Sequence, residues 1–195
     1  MIVLGCNSCL DILYSMIVIV GVNVMDFSFP GAYPHQQIHL TFNKKAFNIP
    51  EAVLVYAFYD GKLLFTHHSK RGWELPGGTR KAHEWPINTV IREAYEEAGA
   101  ELAALEPIGQ YIIVHPHQPQ HIKTIYIAHV QELHPLPKGF ETDDRSLLIP
   151  PDADTVFNDP AYSLLLKDNV YRFSLPVALS ALGSVQLSTV SAQME

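Results

Sequence analysis

A short segment near the middle of the chain concentrates carboxylates on one predicted helix. The sequence REAYEEAGA covers residues 92–100, and Glu93, Glu96 and Glu97 lie three and four positions apart within it. A helix places these three on one face within about one turn, roughly 5.4 Å of rise. Three such carboxylates can bind a hard divalent cation through their oxygens. A solvated acidic surface is the alternative, and it is common for an isolated acidic run.

The loop before this helix can bring a further oxygen ligand to the same place. Residues 75–78 read LPGG, and glycine allows the backbone to approach a bound ion closely, so a backbone carbonyl of this loop is a candidate ligand. Mg²⁺ binds few protein carboxylates and keeps positions for water and phosphate oxygens. The pattern therefore favours hydrolysis of a pyrophosphate bond, in which a metal neutralises charge and activates water.

A longer spacing makes the solvated-surface alternative much weaker. From Gly78, five residues precede Glu84, seven more precede Arg92, and residues 78–100 match every fixed position of the pattern Gx5Ex7REUxEExGU. Ala94 and Ala100 are small for the bulky aliphatic positions U. The pattern is the Nudix box, and the chain resembles the Nudix hydrolases. This resemblance implies an α/β fold, an α/β/α sandwich with a mixed β-sheet in which the box forms a catalytic loop–helix–loop.

The resemblance also implies a metal site that uses Mg²⁺ or Mn²⁺. Carried onto this chain, Glu96 and Glu97 are the main metal ligands, and the carbonyl of Gly78 is another. Glu93 is a further ligand or helps to deprotonate the attacking water. The residues alone do not identify which glutamate is the general base.

Other positions of the box are expected to support these ligands. Arg92 belongs to the predicted catalytic set because it would orient a glutamate through a charge-assisted hydrogen bond. Glu84 would support the metal site or pair with Arg92. Gly99 would end the helix as its C-cap.

A narrower resemblance covers roughly residues 36–175 and points to the MutT-like hydrolases of the YtkD type in Bacillus-related bacteria. It implies conversion of oxidised purine nucleoside triphosphates such as 8-oxo-dGTP to the monophosphate and pyrophosphate. The alternatives are removal of pyrophosphate from the 5′ end of triphosphorylated RNA, hydrolysis of another nucleoside diphosphate derivative, and a non-catalytic nucleotide sensor. The expected substrate is thus a nucleoside triphosphate, with an RNA 5′ end as the other partner to consider.

Four residues outside the helix are candidates for substrate contacts. Lys70 or Arg71 could bind a β- or γ-phosphate, although a solvated hairpin end is the simpler explanation. Trp73 could stack on a base or pack the loop onto the sheet. Lys123 interrupts an apolar strand and could face the substrate or block pairing at a sheet edge.

Histidines offer weaker signals. His115, His117 and His121 lie close together, but two intervening prolines favour a loose connection over a transition-metal site. His67 and His68 end a predicted strand, so alternation would turn only one of them inward.

The elements that must position these residues follow from local patterns. Residues 36–42 alternate like an edge strand, whereas residues 52–59 are a near-continuous apolar run typical of a strand buried on both faces. A turn at Asp60-Gly61 returns the chain as a strand over 62–68. Pro86 favours the first turn of a helix that ends before Gly99.

The rest of the chain is less regular. Residues 69–84 read as a loop and residues 131–158 as a proline-rich irregular segment. Strands are predicted at 108–115 and 122–130, a second helix is predicted at 159–171, and the chain after about residue 182 is predicted to fray.

Length and charge limit the remaining possibilities. The 195 residues suffice for one domain, and a formal net charge of −7 gives no general attraction to nucleic acid, so stable DNA binding is not expected. Cys6 and Cys9 are the only cysteines, which argues against a disulfide framework and suits the cytoplasm. Their CxxC spacing lacks the βαβ context of a redox pair.

The N-terminal segment is unlike the rest. Residues 1–24 are strongly apolar, contain no Lys or Arg, and carry Asp11 as their only charge. They lack the positive region of a signal peptide, and polar residues interrupt them as a membrane span. We expect residues 1–24 to be an extension upstream of a start at Met25, a weak membrane anchor being the alternative. The hydrolase domain is expected at 25–175, followed by a tail at 176–195.

Overall fold

A mixed β-sheet of nine strands organises the computed structural model, which describes residues 26–192 and their side chains as far as residue 183. The predictions for residues 1–24, including Cys6 and Cys9, lie outside the described residues. The strands are β1 (Asp26–Pro30), β2 (Gln37–Thr41), β3 (Ala52–Tyr59), β4 (Lys62–His68), β5 (Gly72–Glu74), β6 (Gly77–Thr79), β7 (Ala100–Val114), β8 (His121–Leu133) and β9 (Thr142–Leu148). The α-helices are α1 (Pro86–Ala98), α2 (Ala153–Asn158) and α3 (Val170–Ala192), with 3-10 turns at Lys44–Ala46 and Leu164–Leu166.

The sheet combines one parallel pair with antiparallel neighbours. Its main order is β1-β2-β7-β8-β3-β4-β5, with β6 paired to β3 and β9 paired to β4. Strands β3 and β8 run parallel, and the other pairs are antiparallel. On one side, β3 pairs with β6 over residues 52–54 and with β4 over residues 58–59, so its neighbours diverge. Strand β6 therefore occupies this side of β3 at its beginning, and β4 occupies it at its end.

Helices cover both faces of the sheet, as the alternation of side chains along β3 requires. Val55 and Ala57 pack with Val90 and Ala94 of α1, whereas Tyr56 and Phe58 point into the larger core that α3 completes. Neighbouring residues in a strand point to opposite faces, so an apolar run such as 52–59 needs both layers. The predicted α/β/α sandwich with a mixed sheet is confirmed.

Several local predictions are also confirmed, and one is wrong about position in the sheet. The strands at 52–59 and 62–68 and the helix ending before Gly99 form as expected. The strand at 36–42 forms, but it is not an edge strand, because β1 pairs along its outer side. A five-residue strand at Asp26–Pro30 adds the edge instead.

The irregular segments contain more structure than local patterns predict. The loop at 69–84 includes β5 and β6, and the segment at 131–158 includes β9 and α2. The second helix predicted at 159–171 is wrong. A 3-10 turn lies there, Asn169 adopts a left-handed conformation with φ of 64°, and the long helix α3 begins only at Val170. Helix α3 then runs through the predicted start of the C-terminal tail to Ala192.

Among the helices within residues 26–192, none has the length and apolar character needed to cross a bilayer.

Candidate active site

Helix α1 carries the acidic residues, and its ends are fixed by local chemistry. Pro86 occupies the first turn, where its missing N–H costs little. Gly99 ends the helix with φ of 63°, and its N–H donates to the carbonyl of Tyr95 at 2.8 Å. Ala94 is fully buried where α1 packs on the sheet, and Ala100 is buried in the same cluster as the first residue of β7. Small side chains therefore suit the close approach of α1 to the strands.

A residue outside the motif secures the end of this helix. Arg145 on β9 donates through Nη1 to the carbonyl of Ala98 and, at 2.6 Å, to the carbonyl of His134. The N–H of His134 donates to the carbonyl of Gly99 at 2.8 Å. These contacts satisfy carbonyls that a helix terminus leaves without intrahelical partners. Sequence reasoning missed Arg145, because nothing near it in the chain indicates this contact.

Arg92 connects three carboxylates. Its Nε and Nη2 donate to the two oxygens of Glu84 at 2.8 and 2.9 Å, which is a bidentate contact. Its Nη1 donates to Glu93 at 2.7 Å and to Glu96 at 3.1 Å. The hydrogen bonds from Arg92 lower the pKa of Glu84 to about 2. Arg92 thus holds neighbouring glutamates in place, and Glu84 in turn holds Arg92.

Gly78 lies directly against the carboxyl group of Glu93. A Cβ at position 78 would stand 2.4 Å from Cδ of Glu93, so only glycine leaves room for this carboxylate. Glu93 is buried, and burial raises its pKa, although the neighbouring Arg92 opposes the shift.

Glu97 lies one helical turn further on. One of its carboxylate oxygens accepts a hydrogen bond from the backbone N–H of Gly77 at 3.0 Å. Burial raises the pKa of Glu97 to about 8, and the nearby carboxylates of Glu93 and Glu74 add to the increase. This carboxyl group therefore lies where negative charge is disfavoured unless a cation is close.

Glu93 and Glu97 line a polar cavity of about 380 Å³ beside β3 and β6. Gly78 and the acidic residues Glu74 and Glu141 also line it. We refer to this space as the catalytic cavity. Glu96 is not among its lining residues. The side chain of Glu96 turns toward Arg92 and lies 3.6 Å from the Nζ of Lys81.

The residues of the catalytic cavity fit a hard divalent cation. Two carboxylates and a glycine backbone converge there, and these oxygen ligands suit Mg²⁺ or Mn²⁺. The raised pKa of Glu97 supports this assignment because a bound cation would compensate a buried negative charge. A second group of metal-binding type, Glu101, Glu132 and His134, lies at the surface and includes none of the motif residues.

Two of the four candidate substrate residues line the catalytic cavity. Arg71 donates to Glu74 at 2.6 Å, which fixes the orientation of its guanidinium, and Lys123 is the second of these lining residues. Burial lowers the pKa of Lys123. Lys70 and Trp73 are not lining residues. The ring of Trp73 packs edge-on against His67 at 4.9 Å and against the core, as its packing alternative predicts.

The histidine predictions divide in the same way. His121 lines the catalytic cavity, where burial lowers its pKa, while His115 and His117 are not lining residues. Of the pair at the end of β4, His68 is buried and His67 is partly exposed. The ring of His68 lies 3.2 Å from Glu141, so it contacts a carboxylate at the cavity lining.

Comparisons with known proteins agree with this geometry. The sequence model of the NUDIX domain matches residues 49–161. YtkD of Bacillus subtilis, provisionally named an 8-oxo-dGTP diphosphatase, is 31% identical over 146 residues, which cover 73% of this chain and 90% of YtkD. A crystal structure of a mutant of the Bacillus subtilis pyrophosphohydrolase BsRppH superposes with a TM-score of 0.73 at 28% identity, covering 80% of this chain and 97% of that one.

Proposed function

The chain belongs to the Nudix family of hydrolases, and from this premise we propose that it is a Mg²⁺-dependent pyrophosphohydrolase of oxidised purine nucleoside triphosphates. Its proposed reaction converts 8-oxo-dGTP to 8-oxo-dGMP and pyrophosphate. The observation that carries this proposal is the catalytic cavity, which Glu93, Glu97, Gly78 and the cationic Lys123 all line. Similarity to YtkD over most of the chain supports the choice of substrate.

The proposed roles follow from the contacts of each side chain. Glu93 and Glu97, with the carbonyl of Gly78, would hold the metal. When bound, Mg²⁺ would neutralise phosphate charge and lower the pKa of a water molecule. Arg92 holds Oε1 of Glu93, so Oε2 is the oxygen available to accept a proton or to face the ion. Glu96 would act from outside the cavity, through its hydrogen bond with Arg92.

The substrate contacts are expected from the basic residues that line the cavity. Lys123 would bind a phosphate oxygen of the triphosphate, and Arg71 would do so while Glu74 fixes its orientation. A water molecule attacks phosphorus, the anhydride bond between the α- and β-phosphates breaks, and the charge that develops on pyrophosphate remains beside these cations. The proton of the attacking water passes to a carboxylate of α1.

Removal of pyrophosphate from the 5′ end of triphosphorylated RNA is the second candidate. It uses the same bond cleavage and the same residues. The structural similarity to BsRppH, whose name describes a pyrophosphohydrolase, favours it. The net charge of −7 offers no general attraction to RNA, so binding would be limited to the first nucleotides.

A side-by-side assay tests both candidates. The substrates are 8-oxo-dGTP, dGTP and a short triphosphorylated RNA in Mg²⁺, and kcat/KM is measured for each. We expect the highest value for 8-oxo-dGTP. Absence of monophosphate from both nucleotides would refute the first candidate, and faster turnover of RNA would make the second one the main activity.

The variant Glu97→Gln tests whether turnover depends on the carboxylate of Glu97. The amide oxygen of glutamine can still accept the hydrogen bond from Gly77, but it cannot replace a carboxylate at the metal. We expect turnover to fall by about 10³-fold or more, as for other groups that act on the reacting atoms. The melting temperature should change little, because glutamine has nearly the same shape and keeps the hydrogen bond from Gly77. Unchanged turnover would remove Glu97 from the mechanism.

A further inference from the structure

A second cavity, separate from the catalytic cavity, lies on the face of the sheet that α1 covers. It measures about 610 Å³, a size typical of small-molecule sites, and shares no lining residue with the catalytic cavity. Along β8, Thr124 and Tyr126 line it, whereas the neighbouring Lys123 points to the opposite face. We refer to it as the Trp85 cavity. Its apolar walls are formed by Phe47, Ile49, Trp85, Pro86 and Pro107.

Two of these apolar side chains are unusually exposed for their size. Trp85 and Ile49 each keep 73% of their surface accessible to solvent. Trp85 is also the N-cap of α1, where small polar residues are preferred, and its side chain makes no capping hydrogen bond. The indole thus neither caps the helix nor packs into the core. An exposed aromatic ring beside an apolar cavity is suited to stack on a flat ring of a ligand.

A buried tyrosine presents an unused hydroxyl group to this cavity. Tyr126 keeps only 7% of its surface exposed, and its hydroxyl forms no hydrogen bond within residues 26–192. In this part of the chain, the fully enclosed side-chain polar atoms without a partner are Nε2 of His129 and Oγ1 of Thr142. The hydroxyl of Tyr126 is therefore not enclosed by protein, and the open space that Tyr126 lines is the Trp85 cavity. A ligand in the cavity can supply the missing partner.

The neighbouring threonine has a free proton as well. Oγ1 of Thr124 accepts a hydrogen bond from Nε2 of Gln110 at 2.8 Å, and among the described residues its own proton has no acceptor. Thr124 and Tyr126 lie two positions apart in β8 and so share a face. Both hydroxyls can thus donate to the same ligand.

Arg80 adds an uncompensated positive charge to the lining. Its Nε donates to the carbonyl of Pro50 at 2.8 Å, and its Nη1 donates to the carbonyl of Glu84 at 3.0 Å. Both partners are neutral, and within residues 26–192 Arg80 forms no ion pair with a carboxylate. The carboxylate of Glu84 is itself paired with Arg92. The cavity therefore favours an anion, for which the guanidinium is already oriented.

We propose that the Trp85 cavity binds a nucleoside 5′-monophosphate. The base stacks on Trp85, the phosphate group lies beside Arg80, and the hydroxyls of the β8 pair donate to acceptors of the ligand. A monophosphate suits the cavity better than a triphosphate, because Arg80 is the one permanent positive charge among the described lining residues. This inference goes beyond the proposed function, since binding here requires no hydrolysis.

Isothermal titration calorimetry of the wild type in EDTA tests the ligand class. Without a divalent cation, the carboxylates of the catalytic cavity disfavour an anion, so the heat reports binding elsewhere. The ligands are GMP, guanosine and inorganic phosphate. We expect GMP to bind about tenfold or more tightly than either part alone, because a charged hydrogen bond and a stacked base each contribute this much. Absence of GMP binding, or equal binding of guanosine or phosphate, would overturn the proposal.

Matched variants locate the bound phosphate group. Arg80→Gln should raise the Kd for GMP about tenfold or more, because a charged donor is lost. Lys123→Gln removes a cation from the catalytic cavity instead and should leave this Kd unchanged. Weaker binding in Lys123→Gln, with the wild-type Kd in Arg80→Gln, would place GMP in the catalytic cavity and refute the inference.

A second variant separates binding from local folding, because Arg80→Gln also removes two hydrogen bonds to backbone carbonyls. Tyr126→Phe deletes only the hydroxyl that has no partner within residues 26–192, so its melting temperature should equal that of the wild type. Its Kd for GMP should rise about two- to tenfold, the effect of one neutral hydrogen bond. An unchanged Kd in both variants would contradict the proposed site.

Fluorescence tests the stacking directly. In Trp73→Phe, Trp85 is the only tryptophan of the chain. GMP in EDTA should quench its emission with the Kd that calorimetry gives, since the base contacts the indole. Unchanged emission at a saturating concentration of GMP would show that the base does not lie on Trp85 and would overturn the proposal.

Discussion

Replacing Gly78 with alanine should displace a carboxylate of the proposed site and lower activity, while the fold loses little stability. The new Cβ would stand 2.4 Å from Cδ and Oε1 of Glu93 and 2.7 Å from Oε2. Ordinary van der Waals contact begins near 3.4 Å, so the carboxyl group must move by 3.4 − 2.4 = 1.0 Å. A displacement of this size at a reacting group can lower the rate about 10²-fold. We therefore expect kcat to fall about 10²-fold.

The cost to stability should be small. The clashing atoms form the end of a flexible side chain, and moving them weakens the hydrogen bond from Arg92 to Glu93, which contributes at most about 1.5–3 kcal/mol. Alanine restricts the unfolded chain more than glycine does, and this effect offsets about 0.4–1 kcal/mol of the lost stability. A net loss of about 1–2 kcal/mol corresponds to a decrease in melting temperature of about 2–8 °C for a chain of this size.

Two other glycines provide controls for the same assay of kcat and melting temperature. A Cβ at Gly77 would lie 2.4 Å from the backbone oxygen of Val53, which cannot rotate away, so Gly77→Ala should destabilise the fold strongly. A Cβ at Gly183 meets no atom within 4 Å, so Gly183→Ala should have little effect. If Gly78→Ala had the same kcat as the wild type, the reaction would not depend on the position that Glu93 has in this structure.

Three further perturbations have expected outcomes. Glu84→Gln removes the charged partner of Arg92, so kcat should fall about tenfold or more with little change in KM; equal changes in kcat and KM would contradict a positioning role. Burial raises the pKa of Asp168 to about 7, so the folded chain retains a proton that the unfolded chain loses near pH 4. The wild type should therefore lose stability relative to Asp168→Asn between about pH 4 and pH 7, and parallel thermal-denaturation profiles would refute this. EDTA should abolish turnover while the circular dichroism spectrum stays constant, and added Mg²⁺ should restore it.

The parts of the fold that sequence predicts well depend on local signals. The apolar run of β3 and the Asp60-Gly61 turn are each encoded within a few residues. The two ends of α1 are likewise encoded locally, by Pro86 in its first turn and by Gly99 after its last. The spacing of the motif likewise fixes which residues α1 carries. It does not fix which of them enter the cavity, because that depends on where α1 meets β6.

The parts that sequence misses depend on pairing across long separations. Strand β9 forms because it pairs with β4, about 80 residues earlier in the chain, and its own sequence is too polar to indicate a buried strand. Arg145 reaches the end of α1 only through this pairing. Glu96, predicted as a main ligand from its motif position, accepts a hydrogen bond from Arg92 and is not among the lining side chains, so its role as a metal ligand stays a prediction.

The charge of the catalytic cavity predicts that a divalent cation is needed before the proposed triphosphate substrate can bind. Glu74, Glu93, Glu97 and Glu141 line it, and Arg71 is already paired with Glu74, which leaves Lys123 to oppose the other carboxylates. An anionic triphosphate entering this space alone would meet more negative than positive charge, and burial would strengthen the repulsion. Divalent cations reverse that balance. Without them, binding itself should weaken, and not only the chemical step, because the same carboxylates that hold the ion would repel the substrate.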